Sequence, residues 1–406
     1  MARSERVEFE GAFGDTLAAR LERPSGVPRA YALFAHCFSC SKDILAATRI
    51  SQRLARQGIA VLRFDFTGLG HSEGEFANTN FSSNIEDLIQ AAAFLERDHE
   101  APSLLIGHSL GGAAVIAAAR RIASTRAVVT INAPADADHV RKQFTEQVPE
   151  IEAKGEAQVH LAGRPFRIKK QFLDDIEGRS LEDAARSLKL PLLIAHSPVD
   201  ETVSIENATR LFVAAKHPKS FLSLDHANHL LSGKDDARFV ADVVAAWADR
   251  YAAEDRLPEP PAAVPQGVVV QETGQGKFQN WVVDADDIGL TDEPESYGGM
   301  GSGPTPYGLL SASLGACTSM TIRMYADRKD WPLDRVTVTV KHNKDHADDC
   351  ANCGEEHRKV DIFERSIRLE GDLDSDQLDR LMEIADRCPV HRTLHEPVVV
   401  RTRREP

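Results

Sequence analysis

Six short, almost wholly apolar runs divide the first 225 residues: Ala30–His36, Ile59–Asp65, Ser103–Gly107, Ala127–Asn132, Leu190–His196 and Ser220–Asp225. Their continuous apolar character predicts strands covered on both faces, as in a parallel sheet. Helical patterns lie between them, as at Phe81–Asp98 and Gly111–Ala123. Strand and helix in alternation predict a doubly wound α/β sheet. Val7–Glu10 and Leu17–Glu22 add an antiparallel start.

Ala133–Leu188 interrupts this rhythm with a polar, mixed stretch that includes a hairpin pattern over Gln158–Ile168 and short helices. It is expected to form a small lid above the strand ends, the alternative being a surface excursion without function. A chain of 406 residues also exceeds what one core usually serves, so a second domain is expected. Leu257–Gly267 (LPEPPAAVPQG) marks the junction, because its prolines hold the chain extended and stop the preceding helix. The expected plan is a domain over 1–256, a linker over 257–267 and a smaller α+β domain over 268–406. In the last of these, Val268–Gln271, Trp281–Asp284, the alternating Val336, Val338 and Val340, Ile362–Leu369 and Val398–Val400 read as strands. Pro306–Arg328 and Asp376–Arg387 read as helices.

Gly107-His108-Ser109-Leu110-Gly111 fits G-x-S-x-G and falls between a predicted strand and a predicted helix, where a sharp turn would expose the Ser109 hydroxyl. Leu110 N–H then lies at the helix N-terminus, ready for a developing oxyanion. A serine hydroxyl needs a base, and the base needs an orienting acid. Asp200 follows a strand directly and is the expected acid, with Glu201 as competitor. His229 is the expected base, on the loop after the last strand, with His226 as competitor. His108 fills the variable position of the turn and is assigned no proton transfer.

With these residues in place, residues 1–255 resemble the α/β-hydrolase superfamily. The resemblance implies acyl transfer to water through a Ser109 acyl-enzyme without a cofactor. Its expected substrate is a small acyl ester, as for a carboxylesterase, with amide or peptide hydrolysis second. A serine at the turn argues against epoxide hydrolases and dehalogenases, which carry Asp there. The resemblance also assigns a second oxyanion donor to Phe38 N–H, in the loop His36-Cys37-Phe38-Ser39-Cys40-Ser41-Lys42-Asp43, where Cys37 replaces the usual glycine. Cys37 and Cys40 form a C-x-x-C pair, read as two buried small residues ahead of a redox pair. Asp65–Ser72 looks like the family's structural loop after the fourth strand.

Cys317 lies in the long apolar helix and Cys388 follows the next one, in Cys388-Pro-Val-His. With Gly303-Pro-Thr-Pro-Tyr before the first helix, residues 268–406 resemble the OsmC/Ohr family of thiol-dependent peroxidases. The resemblance implies that Cys317 attacks an organic hydroperoxide, that Cys388 closes a disulfide on it, and that a dithiol reductant restores both. It further implies an intertwined homodimer. Family members supply an Arg from the N-terminal part of the domain, whereas Lys277 is the only basic residue between Leu257 and Ile322. A dimerising domain with altered chemistry therefore stands beside the peroxidase reading. His342, His346, Cys350 and Cys353 could hold a zinc ion with N and S ligands, with a reversible disulfide or a solvated loop as alternatives.

A net charge of −14 with no basic block excludes a nucleic-acid partner from expectation. No apolar stretch is long enough for a bilayer, and the first residues lack the apolar core of a secretory signal. Six cysteines in this length are no disulfide scaffold, so a cytoplasmic protein is expected. Two rivals to the esterase reading remain. One makes peroxide reduction the main activity, with the hydrolase domain positioning substrate. The other keeps both folds for binding and assembly alone.

Overall fold

A computed structural model describes residues 3–37, 40–161, 164–254, 257–346 and 359–404. The chain divides into two compact units, Met1–Pro258 and Glu259–Pro406, with the boundary inside the proline-rich stretch.

The first unit is built on an eight-stranded sheet of order β1-β2-β4-β3-β5-β6-β9-β10. Its antiparallel start is β1 (Arg3–Glu10) and β2 (Thr16–Arg23); β3 (Ala30–Ala35), β4 (Ile59–Phe64), β5 (Leu104–His108), β6 (Ala127–Ile131), β9 (Leu192–His196) and β10 (Lys219–Ser223) run parallel. Every residue of β3, β4, β5, β6 and β9 is buried, which is why those runs are apolar without alternation.

Side chains still alternate between the faces. Leu33, Ala35, Leu62 and Phe64 pack with α2 (Phe81–Asp98) and α3 (Leu110–Ala118) on one side. Ala32, Phe34 and Val61 pack with α1 (Leu45–Arg56) and α8 (Lys234–Tyr251) on the other. Asn80 starts α2 with a capping box, its side chain accepting from Ser83 N–H while the Ser83 hydroxyl accepts from Asn80 N–H. The predicted helix after the serine turn is shorter than expected and ends at Ala118.

Between β6 and β9 the chain forms α4 (Val148–Lys154), the hairpin β7 (Glu156–Leu161) and β8 (Arg164–Lys169), α5 (Lys170–Ile176) and α6 (Leu181–Ser187). Phe144, Ile151, Val159, Ile168 and Phe172 of this segment are buried in the same core as α2 and α3, so it is packed rather than looped out. α7 (Ile205–Ala214) follows β9 and precedes the edge strand.

The second unit has no βαβ repeat. β11 (Val268–Glu272), β12 (Asn280–Asp284) and β13 (Asp287–Thr291) form an antiparallel sheet. α9 (Pro306–Arg328) starts at Thr305, whose hydroxyl accepts from Gly308 N–H, with Pro306 at the first helical position. β14 (Leu333–His346) and β15 (Lys359–Gly371) pair as a long antiparallel ribbon, followed by α10 (Ser375–Ala385) and α11 (Pro389–His395). Ile322, Ala326, Leu333, Leu381 and Ala385 form its core cluster among the described residues.

β13 and α11 escaped the sequence reading, and Val398–Val400 corrects it. These three valines form no strand, because no neighbouring strand accepts them, and their side chains are exposed. A β-branched run becomes a strand only where a partner offers its hydrogen bonds. No helix among the described residues is long and apolar enough to cross a membrane.

Candidate active site

β5 delivers the chain into the turn at Ser109, which takes φ 55° and ψ −127°, and α3 begins at the next residue. A non-glycine residue at positive φ is strained and is held there by its surroundings. Ser109 N–H donates to Ile131 O at 2.9 Å, tying the turn to β6. The flanking glycines are required by close approach. A Cβ on Gly107 would stand 2.3 Å from Gly111 O, and one on Gly111 would stand 2.4 Å from Ala35 O.

The structure brings Ser109, His229 and Asp200 into one chain of hydrogen bonds. His229 Nε2 lies 3.0 Å from Ser109 Oγ, and His229 Nδ1 lies 2.7 Å from Asp200 Oδ2. A carboxylate only accepts, so Nδ1 carries the proton and Nε2 is left to accept from the serine hydroxyl. Asp200 Oδ1 accepts from Thr202 N–H at 2.8 Å and Val203 N–H at 2.9 Å. Burial pushes the Asp200 pKa up, but the hydrogen bonds from His229 and Val203 outweigh it and hold the carboxyl below its ordinary value. Asp200 is thus ionised at neutral pH. The two competitors, Glu201 and His226, are exposed.

Two further side chains hold His229 from behind. His108 Nε2–H donates to His229 O at 2.7 Å, and Asn132 Nδ2 donates to the same carbonyl at 3.1 Å. Asn132 Oδ1 also accepts from Ser197 N–H at 2.9 Å, at the start of the loop that carries Asp200. Burial, then the neighbouring His229, push the His108 pKa down to about 3, so the ring is neutral. Neither residue was singled out for this positioning in the sequence, because the contacts join segments about a hundred residues apart. The segment between β6 and β9 reaches the same loop, where His139 Nε2–H donates to Thr202 O at 2.9 Å. A cleft of about 720 Å³ in that segment is lined by Asp136, Arg141, Arg179 and Arg210, and none of Ser109, Asp200 or His229 lines it.

Of the two expected oxyanion donors, Leu110 is the first residue of α3, so its N–H has no intrahelical acceptor. Phe38 lies outside the described residues. Its flanks do not: Cys37 and Cys40 are joined by a disulfide, which corrects the reading of two independent small residues. Beyond it, Lys42 is fixed by Asp65, whose carboxylate accepts from Lys42 N–H at 2.6 Å and from Lys42 Nζ at 2.7 Å.

In the second unit both Cys317 and Cys388 are free thiols, Cys317 half-buried and Cys388 buried. The chain neighbour of Cys317, Thr318, has its hydroxyl 3.6 Å from Cys388 Sγ, and His391 N–H points at the same sulfur at 3.3 Å. An arginine of β15 bonds the same threonine. Arg365 donates to Thr318 Oγ1 at 2.8 Å, to Ala385 O at 2.9 Å and to Asp386 Oδ1 at 2.6 Å. Sequence order gave no sign of it, since an arginine on an alternating strand reads as solvated.

Of the expected zinc ligands, His342 has its Nε2 2.7 Å from Asp361 Oδ1, and its ring stacks on Tyr307 with centroids 4.1 Å apart. Cys350, Cys353 and the His346 side chain lie outside the described residues. Among the described residues no group of three metal-ligating side chains comes together.

The alpha/beta hydrolase family model matches residues 32–288, and the OsmC-like protein model matches residues 299–403. The solved esterase domain of a Rhodothermus marinus protein is 55% identical, covering 61% of this chain and 99% of that one with a TM-score of 0.52. Monoacylglycerol lipase of Mycolicibacterium smegmatis is 24% identical over 61% of this chain and 98% of its own length. Rat monoglyceride lipase is 34% identical over 27% of this chain, and the match spans only 36% of the lipase. The chain belongs to the alpha/beta hydrolase family, with a hydrolase domain similar to esterases and lipases and an OsmC-like domain behind it.

Proposed function

We propose that the first unit is a serine esterase that hydrolyses small acyl esters through a Ser109 acyl-enzyme. The observation that carries the reading is the continuous relay Ser109–His229–Asp200, at 3.0 and 2.7 Å, on a strained turn at the head of α3. His229 takes the hydroxyl proton as Ser109 Oγ attacks the ester carbonyl, and Asp200 stabilises the imidazolium that forms. Leu110 N–H, with a second N–H from the loop after β3, stabilises the oxyanion. His229 then gives its proton to the leaving alcohol. Water repeats the sequence to release the acid. Similarity to an esterase domain and to monoacylglycerol lipase favours carboxylic esters over amides or peptides.

The OsmC-like unit is proposed as a thiol site that reduces organic hydroperoxides at the expense of a dithiol. Thr318 and His391 N–H beside Cys388, with Arg365 bonded to Thr318, support this reading. A homodimer formed through this unit, in the cytoplasm, completes the proposal.

Labelling with a fluorophosphonate tests the hydrolase. Wild type is expected to carry the label on Ser109 and to hydrolyse nitrophenyl esters. Ser109→Ala should lose the label and cut turnover by on the order of 10⁶-fold, as for removal of a serine nucleophile. Labelling at any other residue overturns the assignment.

A further inference from the structure

The segment between β6 and β9 reaches the relay from behind the acid. It opens with a run of 3₁₀ turns over Ala137–Gln147. Ala137, Val140 and Phe144 anchor this run in the core shared with α2 and α3, and His139 is buried beside them. Leu181 N–H donates to Ala135 O at 3.1 Å, and Arg210 donates to Asp136 Oδ2 at 2.9 Å, so the approach to His139 is held from α6 and from α7. We infer that His139 is a positioning residue for the proposed reaction, aiming Val203 N–H at the Asp200 carboxylate through the Thr202–Val203 peptide. The inference rests on the esterase reading above and gives the inserted segment a part in it.

One peptide group links the two side chains. Its oxygen, Thr202 O, accepts from His139 Nε2–H at 2.9 Å, and its N–H, on Val203, donates to Asp200 Oδ1 at 2.9 Å. A carbonyl only accepts, so the imidazole tautomer that makes this bond carries its proton on Nε2. In a planar trans peptide C=O and N–H point in opposite directions, so a donor behind the oxygen faces an acceptor in front of the hydrogen. Holding the oxygen sets the tilt of the whole plane, and the bond from His139 polarises the N–H that Asp200 receives. The next carbonyl, Val203 O, accepts from His196 Nε2–H at 2.8 Å, which braces the same turn from β9.

At the acid itself, Thr202 N–H supplies the other bond to Oδ1, at 2.8 Å, and Oδ2 is left to His229 Nδ1 at 2.7 Å. The Asp200 side chain has no exposed surface, so water does not replace a donor that tilts away. With Oδ1 held by both N–H groups, Oδ2 stays directed at the imidazole. Asp200 acts by stabilising the imidazolium, which exists only once Ser109 Oγ has given up its proton. A grip on Asp200 is therefore felt in the transition state and not in substrate binding, and its loss lowers kcat while KM stays in place.

The test compares variants of the full chain by nitrophenyl ester kinetics, by the rate of fluorophosphonate labelling at Ser109 and by thermal melts. His139→Leu, which removes the donor, is expected to lower kcat about fivefold with KM little changed, the rate equivalent of one ordinary hydrogen bond. His139→Phe, which keeps a ring without the N–H, carries the same expectation should the leucine variant melt too low to assay. His139→Gln, whose amide N–H reaches as far as Nε2, should restore kcat. In an Asp200→Ala background His139→Leu should cost nothing further in turnover or labelling, because no carboxylate remains to aim. A purely structural role would lower Tm and cost the same factor in both backgrounds. Wild-type kcat in the variants that lack the donor overturns the inference. So does an equal loss with and without Asp200, or a loss that His139→Gln does not restore. Failure of the esterase reading shows differently, as a wild-type chain with no label on Ser109 and no ester turnover, and it takes the inference with it.

Discussion

His108 and Asn132 grip the same carbonyl, that of His229, and so fix where its imidazole sits. On the esterase reading, preorganisation of this kind spares the reaction the cost of orienting its base. His108 serves only while neutral, and its burial keeps it so. Its pKa in the folded chain is about 3 against 6.5 for a free side chain. The unfolded chain therefore binds a proton between those values that the folded chain refuses, and stability falls as pH drops from about 6.5 toward 3. The penalty at pH 5 is about 2 kcal/mol. His108→Gln, which keeps an N–H donor but cannot titrate, is expected to flatten this limb. Thermal melts of the two proteins at pH 5 and pH 7 measure it; equal drops in Tm would remove His108 as the source. Ser109, Asp200 and His229 were legible in the sequence because a topology fixes their order and each follows a strand. His108 and Asn132 were not, because their roles depend on a carbonyl that only folding brings near.

At the scale of elements, β15 supplies the second unit with a contact that the sequence reading missed. Its alternation places Arg365 on the α9 side, where it bonds Thr318 beside the Cys388 thiol. If this unit reduces peroxides, Arg365→Met should slow dithiol-dependent consumption of an organic hydroperoxide by about tenfold, a change of about 1.4 kcal/mol, because Arg365 holds the Thr318 hydroxyl beside the Cys388 thiol. Cys317→Ser should abolish it. Wild-type rates in Cys317→Ser, followed by peroxide assay, would leave an assembly module in place of a peroxidase. Pro306–Arg328 was predicted to the residue, because Thr305 and Pro306 announce its start. Val398–Val400 failed as a strand because propensity supplies no partner.

For the whole molecule, the division at Pro258 separates units of unequal self-sufficiency. The hydrolase sheet carries a packed core on each face. The second unit has a small core, and Met320, Met324 and Val398–Val400 stand more than half exposed. Exposed apolar side chains such as these are what a subunit contact would cover. A protein cut within 257–267 is expected to yield a monomeric hydrolase fragment that retains ester turnover, while the intact chain runs as a dimer. Light scattering after size exclusion checks both masses; a dimeric fragment would move the interface to the hydrolase unit.

The sequence by itself determined the alternation of strands and helices in the first unit, the proline-rich junction, the serine turn and the chain order of Ser109, Asp200 and His229. Each of these is written in local pattern, through apolar period, proline content or glycine spacing. Tertiary structure decided which histidine faces Ser109, what holds it there, that Arg365 bonds Thr318, and that Cys37 and Cys40 are joined. Those outcomes depend on distances between segments remote in the chain, which packing sets and residue order does not encode locally.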